Sequence, residues 1–185
     1  MKTLVAALLL ALALPAAAKE LHGVNSPETL KVGDKELKLN GMGLRKKAIF
    51  KVYVASLYLE NTTKDANAIL AADSMRRVEM AMLRDLAKEK IIDAIKEGFE
   101  KSAGANMPKL QARLDKFVAG IRDLKEGEKL SITYAPGKGT SIQTADGKDL
   151  EPIEGKDFAD SLFSVWLGKE PVSEGLKNGM LGIED

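Results

Sequence analysis

Along residues 51–59 apolar and polar positions alternate with a period of two. Val52, Val54, Ser56 and Tyr58 point one way, and Lys51, Tyr53, Ala55, Leu57 and Leu59 the other. The pattern predicts a long strand, apolar on both faces near its middle. Such a strand belongs inside a sheet with material packed on it, because exposed edges are usually short or charged. Upstream, residues 29–32 and 36–39 flank Gly33-Asp34 and predict a small hairpin leading into it. Gly41 and Gly43 then let the entering backbone bend tightly, which places Arg45 at the strand's mouth.

Downstream, Thr62, Thr63 and Asp65 offer caps for a short helix through Ala72, and residues 76–83 return as a strand with Val78, Met80 and Met82 on one face. Ile91, Ile95 and Phe99, with Ile92 beside them, form the apolar stripe of a helix that starts after Asp85 and ends near Gly104. Asn106-Met107-Pro108 opens another, with Leu110, Leu114, Phe117, Val118 and Ile121 on one side. Both helices carry charge on the opposite side, as helices laid across a sheet do. Strands resume at 129–134, 140–144 and, briefly, 150–153. Turns at Pro136-Gly137 and Asp146-Gly147 make them an antiparallel meander. Phe158, Leu162, Val165 and Trp166 recur at helical spacing before Gly168, a helix stop, and Ser173 caps a last short helix carrying Leu176, Met180 and Leu181. No repeat, low-complexity tract or long linker divides the chain. The expected fold is α+β: one domain, residues 19–185, with an antiparallel sheet and helices packed over one face.

Residues 1–18 read as an address. Lys2 supplies the positive end, residues 4–14 the apolar stretch, and Ala16-Ala17-Ala18 the small-residue cleavage pattern of a secretory signal. The apolar run is too short to span a bilayer. Cleavage is expected before Lys19, giving an exported, periplasmic product without stable membrane insertion. Losing Lys2 turns 28 basic residues into 27, against 27 acidic ones, and this balance favours neither nucleic acid nor an anionic membrane as partner. The chain has no cysteine, so its stability rests on the core alone.

The same inventory narrows the chemistry. His22 is the only histidine and lies near the new N-terminus, so a thiolate or His-rich metal site is excluded, and a Ser-His-Asp arrangement would have to recruit a terminal tail. The carboxylates are interleaved with lysines along helix faces, the pattern of solvated surfaces. Pro136-Gly-Lys-Gly-Thr-Ser141 lacks the long loop and following helix of a phosphate loop and reads as a hairpin. No cofactor and no metal is implied. Arg45 stands apart: an arginine at the mouth of an apolar strand is costly to bury unless it meets an anion, and its planar fork suits a carboxylate.

Several separated motifs carry a resemblance. Leu39-Asn-Gly-Met-Gly-Leu-Arg45 and Phe50-Lys-Val-Tyr-Val-Ala-Ser-Leu-Tyr-Leu59 are followed in order by Met82-Leu-Arg-Asp85, Tyr134-Ala-Pro-Gly-Lys-Gly-Thr140, Ile153-Glu-Gly-Lys-Asp-Phe158 and Val165-Trp-Leu-Gly-Lys-Glu-Pro-Val172 with Gly175-Leu-Lys177. Together they resemble the chalcone isomerase-like proteins of bacteria over nearly all of the mature chain. The resemblance implies an open-faced β-sandwich, with an arginine and a residue of the adjoining strand pointing into a cleft between sheet and helices. In relatives that bind fatty acids, the arginine and a tyrosine hold the carboxylate. Carried across, these are Arg45 and Tyr53. Tyr58, on the opposite face, reads as a core tyrosine, and Lys51, on Tyr53's face, could add charge near the mouth or snorkel outward.

Departures from the plant enzymes argue against flavonoid ring closure. The family's strand threonine is replaced by Tyr53, no tyrosine lies between Tyr58 and Tyr134, and Val165 occupies the late hydroxyl position. General acid catalysis without positioned donors loses most of its advantage. The expected function is therefore non-catalytic binding of a lipophilic carboxylate such as a fatty acid, provided the cavity is not filled by Met80, Met82, Phe99, Phe117 and Trp166. Two alternatives remain: an isomerase of the chalcone isomerase type, or a structural, partner-binding protein marked by an exposed apolar patch on the last helix.

Overall fold

The computed structural model of the protein describes residues 17–144 and 151–183. The body of the expected signal (residues 1–16), the Asp146-Gly147 turn and Leu150 lie outside the described residues. Eight strands follow in chain order: β1 (Ala18–Leu21), β2 (Val24–Pro27), β3 (Thr29–Val32), β4 (Lys35–Lys47), β5 (Phe50–Leu59), β6 (Arg76–Met82), β7 (Lys129–Ala135) and β8 (Gly139–Gln143). The helices are α1 (Ala66–Ala71), α2 (Lys88–Ala103), α3 (Met107–Val118), α4 (Lys156–Leu167) and α5 (Glu174–Met180). β3 to β8 form one sheet in sequence order, every neighbour antiparallel. The fold is thus α+β, an antiparallel meander with helices packed on one face.

β5 is an inner strand, and from Val54 to Leu59 every residue is buried, as its two-sided apolar pattern requires. Ala55, Leu57 and Leu59 join Val78, Met80 and Met82 of β6 and Leu130 and Ile132 of β7 beneath the helices. The Phe158 ring of α4 lies 5.2 Å from Phe99 of α2 and 5.7 Å from Phe117 of α3, so the three longest helices meet at an aromatic cluster. Asp65 caps α1 by accepting from the Asn67 and Ala68 amides, and Ser173 caps α5 through the Leu176 amide.

Several expectations are corrected. β4 does not stop at residue 39 but runs on through Arg45 to Lys47. Gly41 and Gly43 lie inside it, past a register irregularity between Leu39 and Gly41, and their missing side chains let α5 press on the strand. A Cβ on Gly41 would sit 2.3 Å from the Gly179 carbonyl oxygen, and one on Gly43 2.2 Å from that of Leu176. The segment around His22 is not a loose tail. It is the turn of the β1–β2 hairpin, which covers the second face of β5: Ser26 and Ser56 hydroxyls are 2.7 Å apart, and Tyr58 Oη donates to the Pro27 carbonyl at 3.1 Å. Residue 153 forms only an isolated bridge to Thr140 rather than a strand. Leu176 and Met180 of α5 are buried, so the last helix offers no apolar patch from these residues.

Tyr58 and Tyr134 give the fold an alkaline limit. Burial pushes both hydroxyls up to about 12, and for Tyr134 the bond it donates to Asp73 at 2.6 Å adds to the rise. An unfolded tyrosine ionises near pH ~10. Below that both states keep the proton and stability is complete; above it the unfolded chain releases protons first, so stability falls between about pH 10 and 12. Urea midpoints measured from pH 8 to 12 should show that decline, with a shallower slope in Tyr58→Phe; an unchanged slope would show that Tyr58 ionises freely in the folded chain.

Candidate functional site

Where β4 pairs with β5, Arg45 lies directly opposite Tyr53, but the next partners are Lys46 and Lys51. Val52 is therefore the extra residue of a β-bulge, and the alternation read from the sequence breaks there. Val52, assigned by period to the face opposite Tyr53, lines the same cavity as Tyr53 and Phe50. Lys51, assigned to Tyr53's face, instead places Nζ 3.1 Å from His22 Nδ1 on the hairpin side.

The cavity, of about 390 Å³, lies between the sheet and helices α2 and α4. Met80, Met82 and Leu130 line it from the sheet, Ile91, Ala94 and Ile95 from α2, and Val165 and Trp166 from α4. Met80, Met82 and Trp166 thus wall the space without filling it, while Phe99 and Phe117 belong to the aromatic cluster. The volume falls in the range of small-molecule sites, and the lining is mostly apolar with a few convergent polar groups.

Arg45 and Tyr53 stand side by side at one end. Arg45 is half-buried, and its Nη1 donates to the Lys46 carbonyl. Tyr53 is held by Trp166, whose Nε1–H donates to the Tyr53 hydroxyl oxygen at 3.2 Å. The phenol oxygen thus accepts from the indole, and among the described residues no protein acceptor takes the phenol's own proton. Burial pushes the Tyr53 pKa up, outweighing the Trp166 hydrogen bond and the Arg45 charge that pull it down. The hydroxyl therefore stays protonated at neutral pH and remains a donor on the cavity wall.

Three more cations line the entrance: Lys47, Arg84 and Lys90, with the Arg84 guanidinium 4.8 Å over the Phe50 ring. Asp85 is the only carboxylate among the lining residues, and it is engaged by the Glu126 amide at 3.0 Å and Lys125 Nζ at 2.9 Å, which hold its carboxyl below the usual range. Tyr53 carries the lining's only hydroxyl. The arrangement can bind and orient an anion with an apolar body. Among the described residues, no cluster of three or more His, Cys, Asp or Glu side chains is placed to hold a metal.

The two residues singled out from the sequence, Arg45 and Tyr53, are thus brought together by register. The sequence reading gave Arg84, Phe50 and Val52 no part in the site, and named Trp166 as a helix-stripe residue and a possible filler. Trp166 and Arg84 did sit in quoted motifs, the available signal. Phe50 and Val52 lay in the quoted β5 motif too, but nothing in it told that Val52 turns to the cavity, because the bulge is decided by tertiary pairing.

A sequential antiparallel meander with a helical layer and a cavity between them defines the class: the chain belongs to the chalcone isomerase-like family, which it matches over residues 18–182. Among solved structures it is similar to a fatty-acid binding protein of Arabidopsis thaliana, with a TM-score of 0.67 and 16% sequence identity across 89% of this chain and 96% of that one. At that identity the likeness establishes the shared fold. No curated protein matches the sequence.

Proposed function

We propose that the protein is a non-catalytic binding protein for a lipophilic carboxylate such as a fatty acid. Arg45 supplies the charge, Tyr53 donates a hydrogen bond, and the apolar walls from the sheet, α2 and α4 accept the tail. The observation that carries this reading is the Arg45–Tyr53 cross-strand pair, with its uncommitted phenol proton, at the end of an apolar cavity. A bidentate guanidinium and a neutral hydroxyl together match a carboxylate's acceptors. The similar Arabidopsis protein is named for fatty-acid binding. The signal-like pattern of residues 1–18 adds export to the proposal, with a single domain from residue 19 acting in the periplasm. Among the described residues no helix is long and apolar enough to cross a membrane.

Native mass spectrometry of the protein purified gently from its host tests this directly. An adduct of lipid mass is expected. Arg45→Ala should weaken it by about ten- to a hundred-fold, the worth of a charged hydrogen bond, and Tyr53→Phe by roughly five-fold. Thermal melts of both variants guard against simple unfolding. If the wild type runs at bare mass and takes up no added fatty acid, the binding reading fails.

A further inference from the structure

Three large apolar side chains are exposed among the described residues, and two of them are adjacent: Ile49 is 88% exposed and Phe50 54%. They sit at the tip joining β4 and β5, where Lys47 pairs with Phe50 across a two-residue turn and Ala48 takes a left-handed φ of 51°. Turn chemistry does not ask for isoleucine there, since such tips favour Asn, Asp and Gly. Packing does not ask for it either, because Ile49 touches solvent on almost every side.

The charge around this tip is predominantly positive. Between Glu36 and Glu60 the sequence holds no acidic residue, and toward the tip it carries Arg45, Lys46, Lys47 and Lys51. Arg84, stacked over Phe50, and Lys90 add to the same side. Asp85, already engaged by Lys125 and the Glu126 amide, and Glu97, within reach of the Lys47 charge, are the carboxylates beside them, so a chain with a net charge of only +1 places an excess of cations about two protruding apolar groups. Lys47 and Phe50 also line the cavity, so the tip and the entrance are one place. Apolar groups ringed by lysine and arginine suit a lipid interface, where the apolar part enters the headgroup layer and the cations meet phosphates. A protein partner would need a contact of some ~800 Å² per side, far more than two side chains provide.

We propose that the β4–β5 tip docks on an anionic lipid surface, with Ile49 and Phe50 entering it and Lys46, Lys47 and Lys51 meeting the headgroups. The cavity entrance then faces the layer from which a lipophilic ligand is drawn; that last step rests on the carboxylate-binding reading, whereas docking itself does not.

The test is co-flotation of the full chain with vesicles of phosphatidylglycerol in phosphatidylcholine, no fatty acid added. Binding to these vesicles should exceed binding to pure phosphatidylcholine by about ten-fold or more and should weaken as salt shortens the Debye length. Lys46→Glu should reduce it by roughly twenty-fold, since each basic side chain near such a surface is worth about five-fold and a reversal counts twice. Ile49→Asp should cost about ten-fold or more. Neither residue lines the cavity, and circular dichroism checks that both variants fold. Lys109→Glu, on α3 and outside the cavity lining, should bind as wild type.

Docking is overturned by absence of co-flotation, by equal binding to neutral vesicles, or by indifference to both variants. It is also overturned if Ile49→Asp abolishes self-association of a protein that ignores vesicles, which would make the tip a contact between copies. Vesicle binding without fatty-acid uptake from solution would uphold docking and sink the carboxylate reading; uptake without flotation would do the reverse.

Discussion

Arg76→Met is expected to cost about 2–4 kcal/mol, below the full range for breaking a buried ion pair because Asp160 is part-exposed and keeps Lys156, and to lower the melting temperature by roughly 4–16 °C for a chain of this size. Arg76 opens β6 on the core face, and its side chain is buried. Nη2 donates to Asp160 Oδ1 of α4 at 2.5 Å, while Nη1 donates to the Ile69 carbonyl at 3.0 Å and the Ala72 carbonyl at 3.3 Å. The guanidinium also lies 4.9 Å from the centroids of both Tyr134 and Phe163. One side chain thus ties the sheet to α4 and to the end of α1. Methionine fills much of the volume, so the loss reports the stranded carbonyls and Asp160 rather than a cavity. Adding Asp160→Leu should recover part of the loss, because an apolar pair removes the carboxylate that has lost its arginine, although Lys156, which donates to Asp160 Oδ2 at 2.6 Å, then loses that partner. Thermal and urea unfolding measure both. A melting shift below about 2 °C for Arg76→Met would contradict the structural role assigned here.

Gly43→Ala should destabilise by about 1–3 kcal/mol or more, because α5 and β4 touch backbone to backbone. The new Cβ would meet the Leu176 carbonyl oxygen at 2.2 Å, with the Leu176 carbonyl carbon and Cδ1 at 3.0 Å; from the other side, a Cβ on Gly179 would meet the Met42 carbonyl oxygen at 2.5 Å. Backbone cannot step aside as a side chain tip can, so the helix must lift. The bond from Asn40 Nδ2 to the Met180 carbonyl, 2.9 Å long, loosens with it. Limited proteolysis should then release the segment from Glu174 onward faster than in wild type, alongside a lower melting temperature. Wild-type stability and protease resistance in the variant would show that α5 has room to move.

Much of this architecture could be read from periodicity. The β5 and β6 patterns, the α2, α3 and α4 stripes and the caps at Asp65 and Ser173 are local signals, and the structure places each element within a few residues of its expectation. What failed depended on pairing. Gly41 and Gly43 read as bend makers because sequence shows flexibility but not the helix that needs their space. Val52 and Lys51 were given the wrong faces because one bulge residue shifts every side chain beyond it. His22 looked like part of a tail because four-residue strands carry little pattern of their own. Arg76 was missed as a core residue although it shares the period of Val78, Met80 and Met82; an arginine in phase with an apolar stripe was the available clue. At the site, Arg45 stood out by its place at the strand's mouth and Tyr53 came from a family resemblance, whereas the bond that holds Tyr53 joins residues 113 positions apart and no local rule foretells it.

The chain contains a single tryptophan, and it is the residue that bonds Tyr53 on the cavity wall. All indole emission from this protein therefore originates within one bond of the Tyr53 hydroxyl. An occupant of the cavity would press on that indole, shift its bond to Tyr53 or alter the charge beside it, and the protein would signal the change by its own light, without a dye or a label.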